Sequence, residues 1–265
     1  MIKAIIIREL KRNFLAFAIT AVVCGMTAIY VISLGPSFGK DIQQILDLKM
    51  PKNFQSAFGM AGIDYSNPMG FFGMVFLNIY LLTAIYIAGM FSVIVSKEYR
   101  DKTAEFIYSL PGERLNIILS KLTVALAYSV LTVIVTYLFS VIGMRLIIPD
   151  AVDLQPILMM SLAWLLGGLA LGSLTFLLIS FKPESRGSFG LAAGIVMLFY
   201  MMQLIISLNE NVRWLAYLSP FTWFRGAEIA TTGTIGIEFV ITALVVCAVC
   251  FYFGIKRYRK MDVLI

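Results

Sequence analysis

The chain has 265 residues, of which 60% are hydrophobic and 14% charged, and its formal net charge is +6. Because soluble domains are closer to half apolar and one-quarter charged, this composition excludes a soluble domain and indicates an integral membrane protein. The chain has no histidine and no Gly-x-x-x-x-Gly-Lys-Ser/Thr loop, which excludes a Ser-His-Asp triad, a His-Glu-x-x-His zinc site and that mode of ATP binding. We therefore predict neither an enzyme nor a metal site.

Six apolar stretches are long enough to cross a bilayer, since a spanning helix needs roughly 20 apolar residues. They lie at about 14–34, 71–95, 122–147, 156–180, 188–208 and 236–255. They leave no room for a soluble catalytic domain. The sequence therefore predicts an all-α, polytopic membrane protein with one transmembrane domain over residues 1–265.

The basic residues are distributed unevenly around these spans. Fifteen of the 21 lie before span one, between spans two and three, between spans four and five, or after span six. Cytoplasmic loops carry the excess of Lys and Arg, so both termini are predicted to be cytoplasmic. This distribution also indicates a lipid bilayer, and not nucleic acid, as the reason for the positive charge.

Residues 1–13 are amphipathic. The segment alternates isoleucine and leucine with basic side chains, which suits a helix in the cytoplasmic membrane interface, attracted to anionic lipid. A plain basic flank to span one is the alternative.

The loop at 96–121, between spans two and three, holds two helical segments separated by the turn signal Pro111-Gly112. Tyr99, Phe106 and Leu110 recur at spacings compatible with one helical face. A short charged helix edged by aromatic residues is suited to docking in a groove of a soluble protein. A solvated linker is the alternative.

Residues 211–235 precede the last span and include an apolar stretch about half as long as a span needs. Ser219-Pro220 interrupts this stretch, and its aromatic side chains are typical of a membrane interface. We predict a re-entrant hairpin, with an aromatic-rich outer loop as the alternative. Arg225 and Glu228 are spaced to neutralise each other on one helical face.

Polar and small residues inside the spans provide further candidates. Asn78 and Gln203 are neutral polar residues that either line a substrate path or bond to a neighbouring helix. The motifs Gly168-x-x-x-Gly172 and Gly190-x-x-x-Gly194 allow backbones to approach closely, within one subunit or between two.

The order of spans and loops resembles that of the ABC-2 type permeases, the membrane subunits of ABC exporters. Lys102 stands where the family has a glycine, which leaves the local bend open. Ser219-Pro220-Phe221 and the basic ending with Asp262 also resemble the family. The matching positions of the loop are Glu98, Thr103, Glu105, Leu110, Pro111, Arg114 and Lys121.

The resemblance implies a complex of two membrane subunits and two cytoplasmic ABC ATPase subunits. The membrane subunits would form a homodimer or a pseudo-dimer with a second permease. ATP and Mg would bind to the ATPase, and no cofactor to this chain. The loop at 96–121 would be the coupling helix, and residues 181–187 a second contact. The implied ATPase-coupling residues are Glu98, Tyr99, Arg100, Asp101, Lys102, Thr103, Glu105, Phe106, Leu110, Pro111, Arg114, Lys182, Glu184 and Arg186.

The resemblance also implies a re-entrant hairpin and a bacterial cell-membrane location. The residues assigned to this hairpin are Trp214, Tyr217, Ser219, Pro220, Phe221, Trp223, Arg225 and Glu228. The 14 methionines and 20 phenylalanines favour a hydrophobic or amphipathic substrate, such as a peptide. Within the family, we expect the chain to belong to the exporters of amphipathic antimicrobial peptides, including phenol-soluble modulins. A membrane sensor or immunity protein that binds such peptides without moving them is the alternative.

Overall fold

A computed structural model describes residues 2–49, 68–103, 114–147, 153–183 and 187–259. These residues form helices and connecting turns, and none of them lies in a strand. In chain order, the elements are α1 (Ile2–Lys49), α2 (Pro68–Arg100), α3 (Arg114–Ile147), α4 (Leu154–Ile179), α5 (Ser188–Leu208), a 3-10 helix (Glu210–Tyr217), α6 (Pro220–Trp223), α7 (Gly226–Thr232) and α8 (Ile237–Arg259).

Within the described ranges, six helices are long and apolar enough to cross a membrane: α1 to α5 and α8. This confirms the prediction of an all-α protein with six spanning helices. The apolar runs form helices because a backbone in hydrocarbon must satisfy its hydrogen bonds internally. The three short helices between α5 and α8 occupy the segment that was predicted to be too short to span.

Helix α1 is much longer than a bilayer requires. Its 48 residues correspond to about 72 Å at a rise of about 1.5 Å per residue, against ~30 Å of hydrocarbon. The predicted interfacial helix at residues 1–13 is not a separate element, because α1 continues through it without a break. Its position in the membrane interface stays a prediction.

Helix α2 lies at the centre of the bundle and packs against α1, α3, α4, α5 and α7. Its approach to α4 is close because α4 carries glycines on the facing side. A Cβ added to Gly168 would lie 2.5 Å from Ile87, and one added to Gly172 would lie 2.8 Å from Phe91. This motif therefore serves packing within the subunit.

The second glycine motif has a different environment. Gly190 and Gly194 lie on an exposed face of α5, where an added Cβ would meet no atom within 4 Å. Large apolar side chains such as Met197 and Met201 are exposed on the same helix. This face is therefore open in a single subunit.

The bundle has two chemically different ends. At one end lie the starts of α1, α3 and α5 and the ends of α2, α4 and α8, as side-chain contacts between these elements show. We call it the basic end, because the described part of this end carries most of the basic residues. The short helices α6 and α7 lie at the opposite end.

Candidate functional site

Five charged side chains from three helices meet at the basic end. Arg8 and Glu9 come from α1, Lys97 and Glu98 from α2, and Lys121 from α3. Apart from Arg8, whose side chain is 42% exposed, each is at most 3% exposed. We call these five residues the charge cluster.

Every buried charge in the cluster has an opposite charge beside it. Lys97 Nζ donates to Glu9 Oε2 at 2.9 Å. Arg8 Nη2 lies 2.9 Å from Glu9 Oε1 and 3.1 Å from Glu98 Oε1. Lys121 Nζ pairs with the Glu98 carboxylate and also donates to the carbonyl oxygen of Ile94 at 3.1 Å.

This arrangement explains how the charges tolerate burial. Removing an ion from water costs several kcal/mol, and the cost is offset only when partners and hydrogen bonds surround the ion. In the cluster two carboxylates face three cations. Asn13 Nδ2 provides an additional hydrogen bond to Glu9 Oε2 at 3.2 Å. The four buried charges therefore balance one another, and the third cation, Arg8, is the member whose side chain reaches the surface.

The Glu98 carboxylate therefore points into the protein. It was predicted as a polar contact of the ATPase, whereas the structure occupies both of its oxygens with Arg8 and Lys121. Tyr99, predicted as an aromatic anchor, is partly buried against an apolar cluster that includes Ile94 and Ile118. Neither side chain is freely presented to a partner.

Three other predicted contact residues are exposed where the chain leaves α2: Arg100, Lys102 and Thr103. The bend here is made by Lys102, whose φ of 56° lies in the left-handed region. The N–H of Thr103 bonds to the carbonyl of Glu98 at 2.9 Å, and that of Lys102 to the carbonyl of Tyr99 at 3.3 Å. This is the hydrogen-bond pattern of a Schellman cap, which usually has glycine at the left-handed position. Lys102 thus makes the bend that the sequence had left open.

Asp101 forms a smaller ion-pair group beside the charge cluster. Its carboxylate pairs with Arg12 of α1, and Arg100 Nε lies 3.3 Å from its Oδ1. The hydrogen bond from Arg12 is the main reason that the pKa of Asp101 lies below its ordinary value. This pair adds a partly exposed link between α1 and the end of α2.

The remaining predicted contacts are only partly described. Arg114 begins α3 and is half-buried, and Lys182 is exposed in the turn after α4. Six predicted contact residues lie outside the described residues, so their roles stay predictions. They are Glu105, Phe106, Leu110, Pro111, Glu184 and Arg186.

At the opposite end, the segment predicted as a hairpin divides at the expected position. Ser219 has an extended conformation (φ −97°, ψ 120°) between the 3-10 helix and α6, and Pro220 follows at the first helical position. Phe221 and Trp223 are buried, whereas Trp214 and Tyr217 are exposed. A re-entrant position in the membrane stays a prediction.

One buried hydrogen bond fixes this segment to the bundle, and a partly buried one joins two parts of the segment itself. Tyr80 Oη donates to the carbonyl of Pro220 at 3.0 Å, and Trp223 Nε1 donates to the carbonyl of Tyr217 at 2.9 Å. In the described part of the chain no ion pair joins Arg225 and Glu228, and both are exposed. The structure therefore does not bring together the pair that their spacing suggested.

The two predicted polar residues of the spans have different environments. Asn78 is exposed on the surface of α2, a helix that is otherwise largely buried. Gln203 is buried on α5, and its Nε2 donates to Ser207 Oγ at 3.3 Å. Only Asn78 therefore presents its amide to the outside of the subunit.

Sequence reasoning missed Glu9 and Lys97 as functional candidates. The available signal was the spacing of Glu9, which lies four residues after Ile5 on the same helical face. Ile5 and Glu9 are both buried in the structure. A carboxylate on the apolar face of an otherwise basic segment needs a buried cation, but the sequence does not say which one.

The chain was also compared with known proteins. No curated protein matches it. The family described as ABC-2 family transporter protein matches residues 6–263, nearly the whole chain. Members of this family are membrane components of ABC transporters, which associate with an ABC ATPase and are not themselves catalytic. The chain belongs to the ABC-2 family of transporter proteins.

Proposed function

We propose that this chain is the permease of an ATP-driven exporter that moves a hydrophobic or amphipathic substrate out of the cell. ATP and Mg bind to the partner ATPase, and hydrolysis there drives transport. The observation that carries the proposal is the charge cluster. It joins both helices that flank the undescribed loop at 104–113 to the start of α1, so a force on this loop reaches three spanning helices.

The contact with the ATPase is assigned to the loop at 96–121, with the turn at 181–187 as a second contact. Arg100, Lys102 and Thr103 support this assignment because they are exposed directly before the undescribed part of the loop. Lys182 supports the second contact for the same reason. The basic end is cytoplasmic in this proposal, as the distribution of Lys and Arg favours.

Two copies of the chain form the transporter in this proposal. The open face of α5 supports it, because Gly190 and Gly194 would allow the backbone of a second subunit to approach closely. Asn78 supports it as well, because an amide exposed to hydrocarbon without a partner costs roughly 2–7 kcal/mol. A second subunit or a substrate path between subunits would provide that partner.

The proposed substrate is an amphipathic peptide of the phenol-soluble modulin type. Such a peptide needs an adaptable apolar surface, and methionine side chains provide one because they are flexible and polarisable. The exposed Met197 and Met201 on α5 support this choice.

The test uses the chain expressed in bacteria with its partner ATPase. We expect Phe106→Ala and Glu105→Lys to reduce pull-down of the ATPase and export of a dye-labelled amphipathic helical peptide together. Truncating an aromatic anchor of an interface costs on the order of 2 kcal/mol, or roughly thirtyfold in binding. Membrane abundance should stay near that of the wild type.

Phe14→Ala is the matched control, because Phe14 is an exposed aromatic residue on α1 outside the proposed contact. It should retain both the ATPase and export. If Phe106→Ala and Glu105→Lys also retain both, the loop is a linker. A wild-type chain that binds the peptide but retains no ATPase would indicate a sensor or immunity protein.

A further inference from the structure

The start of α1 is fixed to the bundle by more than the charge cluster. Ile5 packs against Ile117 at the start of α3. Tyr128 Oη donates to the carbonyl of Leu10 at 2.6 Å, and the Tyr128 ring stacks on Phe17 with centroids 5.0 Å apart. These contacts join α1 to α3, whereas the charged side chains supply the described polar links between α1 and α2.

Stability alone is a weak reason for this use of charge. Buried ion pairs can often be replaced by apolar residues of similar size without loss of stability. Ion pairs and hydrogen bonds are directional, however, and weaken steeply when the geometry is lost. A charge network therefore fixes the relative positions of helices more narrowly than apolar packing does.

The geometry of the network fits such a positioning role. Lys97 bonds back to Glu9, while Arg8 reaches forward to Glu98, so two antiparallel ion pairs cross the contact between α1 and α2. Glu98 also pairs with Lys121, which extends the network to α3. A shift of α1 by one helical turn, about 5.4 Å, would separate both crossing pairs.

We propose that Arg8, Glu9 and Lys97 are positioning residues that fix the start of α1 against the end of α2. The part of the coupling loop that follows α2 begins a few residues after Lys97, so the two crossing pairs make α1 move with that part of the loop. The consequence for transport rests on the proposed function, because it requires an ATPase to displace the loop. The positioning itself is a property of this chain alone.

The first experiment measures positioning without any partner. Spin labels are attached at Lys11→Cys and Thr103→Cys, two exposed positions on α1 and after α2, in the full chain with its three native cysteines replaced by alanine. Distances are measured by double electron–electron resonance in lipid nanodiscs. We expect one narrow distance distribution for the otherwise unchanged chain.

The decisive variant combines Arg8→Gln, Glu9→Gln and Lys97→Met. It removes both crossing pairs but leaves Glu98 paired with Lys121, so no buried charge loses its partner. We expect a broader distribution for this triple variant. Lys3→Gln is the control, because Lys3 is an exposed cation of the same segment that forms no ion pair with any described residue. The control should keep the narrow distribution.

An unchanged distribution in the triple variant would overturn the proposal, as would a broad distribution in the parent chain. If the triple variant does not fold, Arg8→Gln alone decides. This single change leaves Glu9 paired with Lys97 and Glu98 paired with Lys121, and it should still broaden the distribution. An unchanged distribution in a folded Arg8→Gln chain would contradict the proposal.

The second experiment measures coupling in proteoliposomes that contain the partner ATPase. The triple variant should retain the ATPase in pull-down but move less dye-labelled amphipathic peptide per ATP hydrolysed, by about fivefold or more. Transport per ATP equal to that of the parent chain would contradict a role in coupling. A parent chain without ATPase or transport would instead contradict the proposed function, while the spin-label result would still decide the positioning.

Discussion

The two ends of the bundle are held together by different chemistry. At the basic end, five charged side chains join α1, α2 and α3. At the opposite end, the rings of Phe76 and Trp164 stack with centroids 5.7 Å apart, and those of Tyr80 and Phe221 lie 4.5 Å apart. We call these four residues the aromatic cluster; all are buried.

The two clusters are suited to different roles. The aromatic cluster buries large apolar surfaces and needs few polar bonds, such as that from Trp164 Nε1 to the carbonyl of Phe76 at 3.2 Å. Packing of this kind supplies stability. The charge cluster gains little net stability because desolvation opposes the attraction. Its proposed role is to specify the position of helices next to the loop that is proposed to receive the ATPase.

The largest effect is expected when one member of the charge cluster loses its partner. Glu98→Leu leaves the fully buried Lys121 without a carboxylate, which should lower the free energy of unfolding by about 3–5 kcal/mol. Adding Lys121→Met should restore most of that loss, because the two charges that remain buried, Glu9 and Lys97, are then paired with each other. Denaturant titration in detergent measures both values. A Glu98→Leu variant as stable as the wild type would contradict the role of Glu98 as the partner of the buried Lys121.

A smaller loss is expected when the aromatic cluster is crowded. A Cβ at Gly167 would overlap the phenol ring of Tyr80, so Gly167→Ala should lower the free energy of unfolding by about 1–3 kcal/mol. Gly194→Ala is the matched control, since it makes the same change on a helix face with open space. The same titration measures both variants. Equal stability of the two would mean that α2 and α4 can separate without cost.

The bend after α2 offers a stabilising change. A non-glycine residue in the left-handed region costs roughly 1–2 kcal/mol. Glycine avoids this cost, but part of the gain is cancelled because glycine has more conformational freedom to lose on folding. Lys102→Gly should therefore raise the free energy of unfolding by about 0.5–1 kcal/mol. Lys11→Gly, inside α1, should lower it by about 1 kcal/mol. A loss of stability in Lys102→Gly would show that Lys102 does not make this bend.

The smallest effect concerns pH. Because Arg12 lowers the pKa of Asp101 in the folded chain, the pair stabilises the fold above the ordinary aspartate pKa, and this contribution disappears as the pH falls through the lowered value. A partly exposed pair contributes at most about 1 kcal/mol. Asp101→Asn should therefore melt slightly below the wild type at neutral pH, and the difference should vanish in strong acid. A difference that grows in acid would contradict this sign.

Much of the fold could be predicted from local patterns. The length of the apolar runs determines the number of spans, and Ser219-Pro220 interrupts a helix wherever the segment lies. The glycine motifs are visible in the sequence as well. Their roles are not, because Gly168 faces Ile87 while Gly194 faces open space, and spacing is the same in both motifs.

The class of protein follows from local sequence patterns, because apolar length, basic-residue distribution and turn residues act locally along the chain. Which charges meet could not be predicted from these local patterns. Glu9 pairs with Lys97, 88 residues away, and Glu98 pairs with Lys121 of the next span. A sequence shows that each of these residues is charged and lies near the end of an apolar run. Which opposite charge compensates each one depends on how α1, α2 and α3 pack, because a buried ion is stable only beside the partners that the packed helices bring to it.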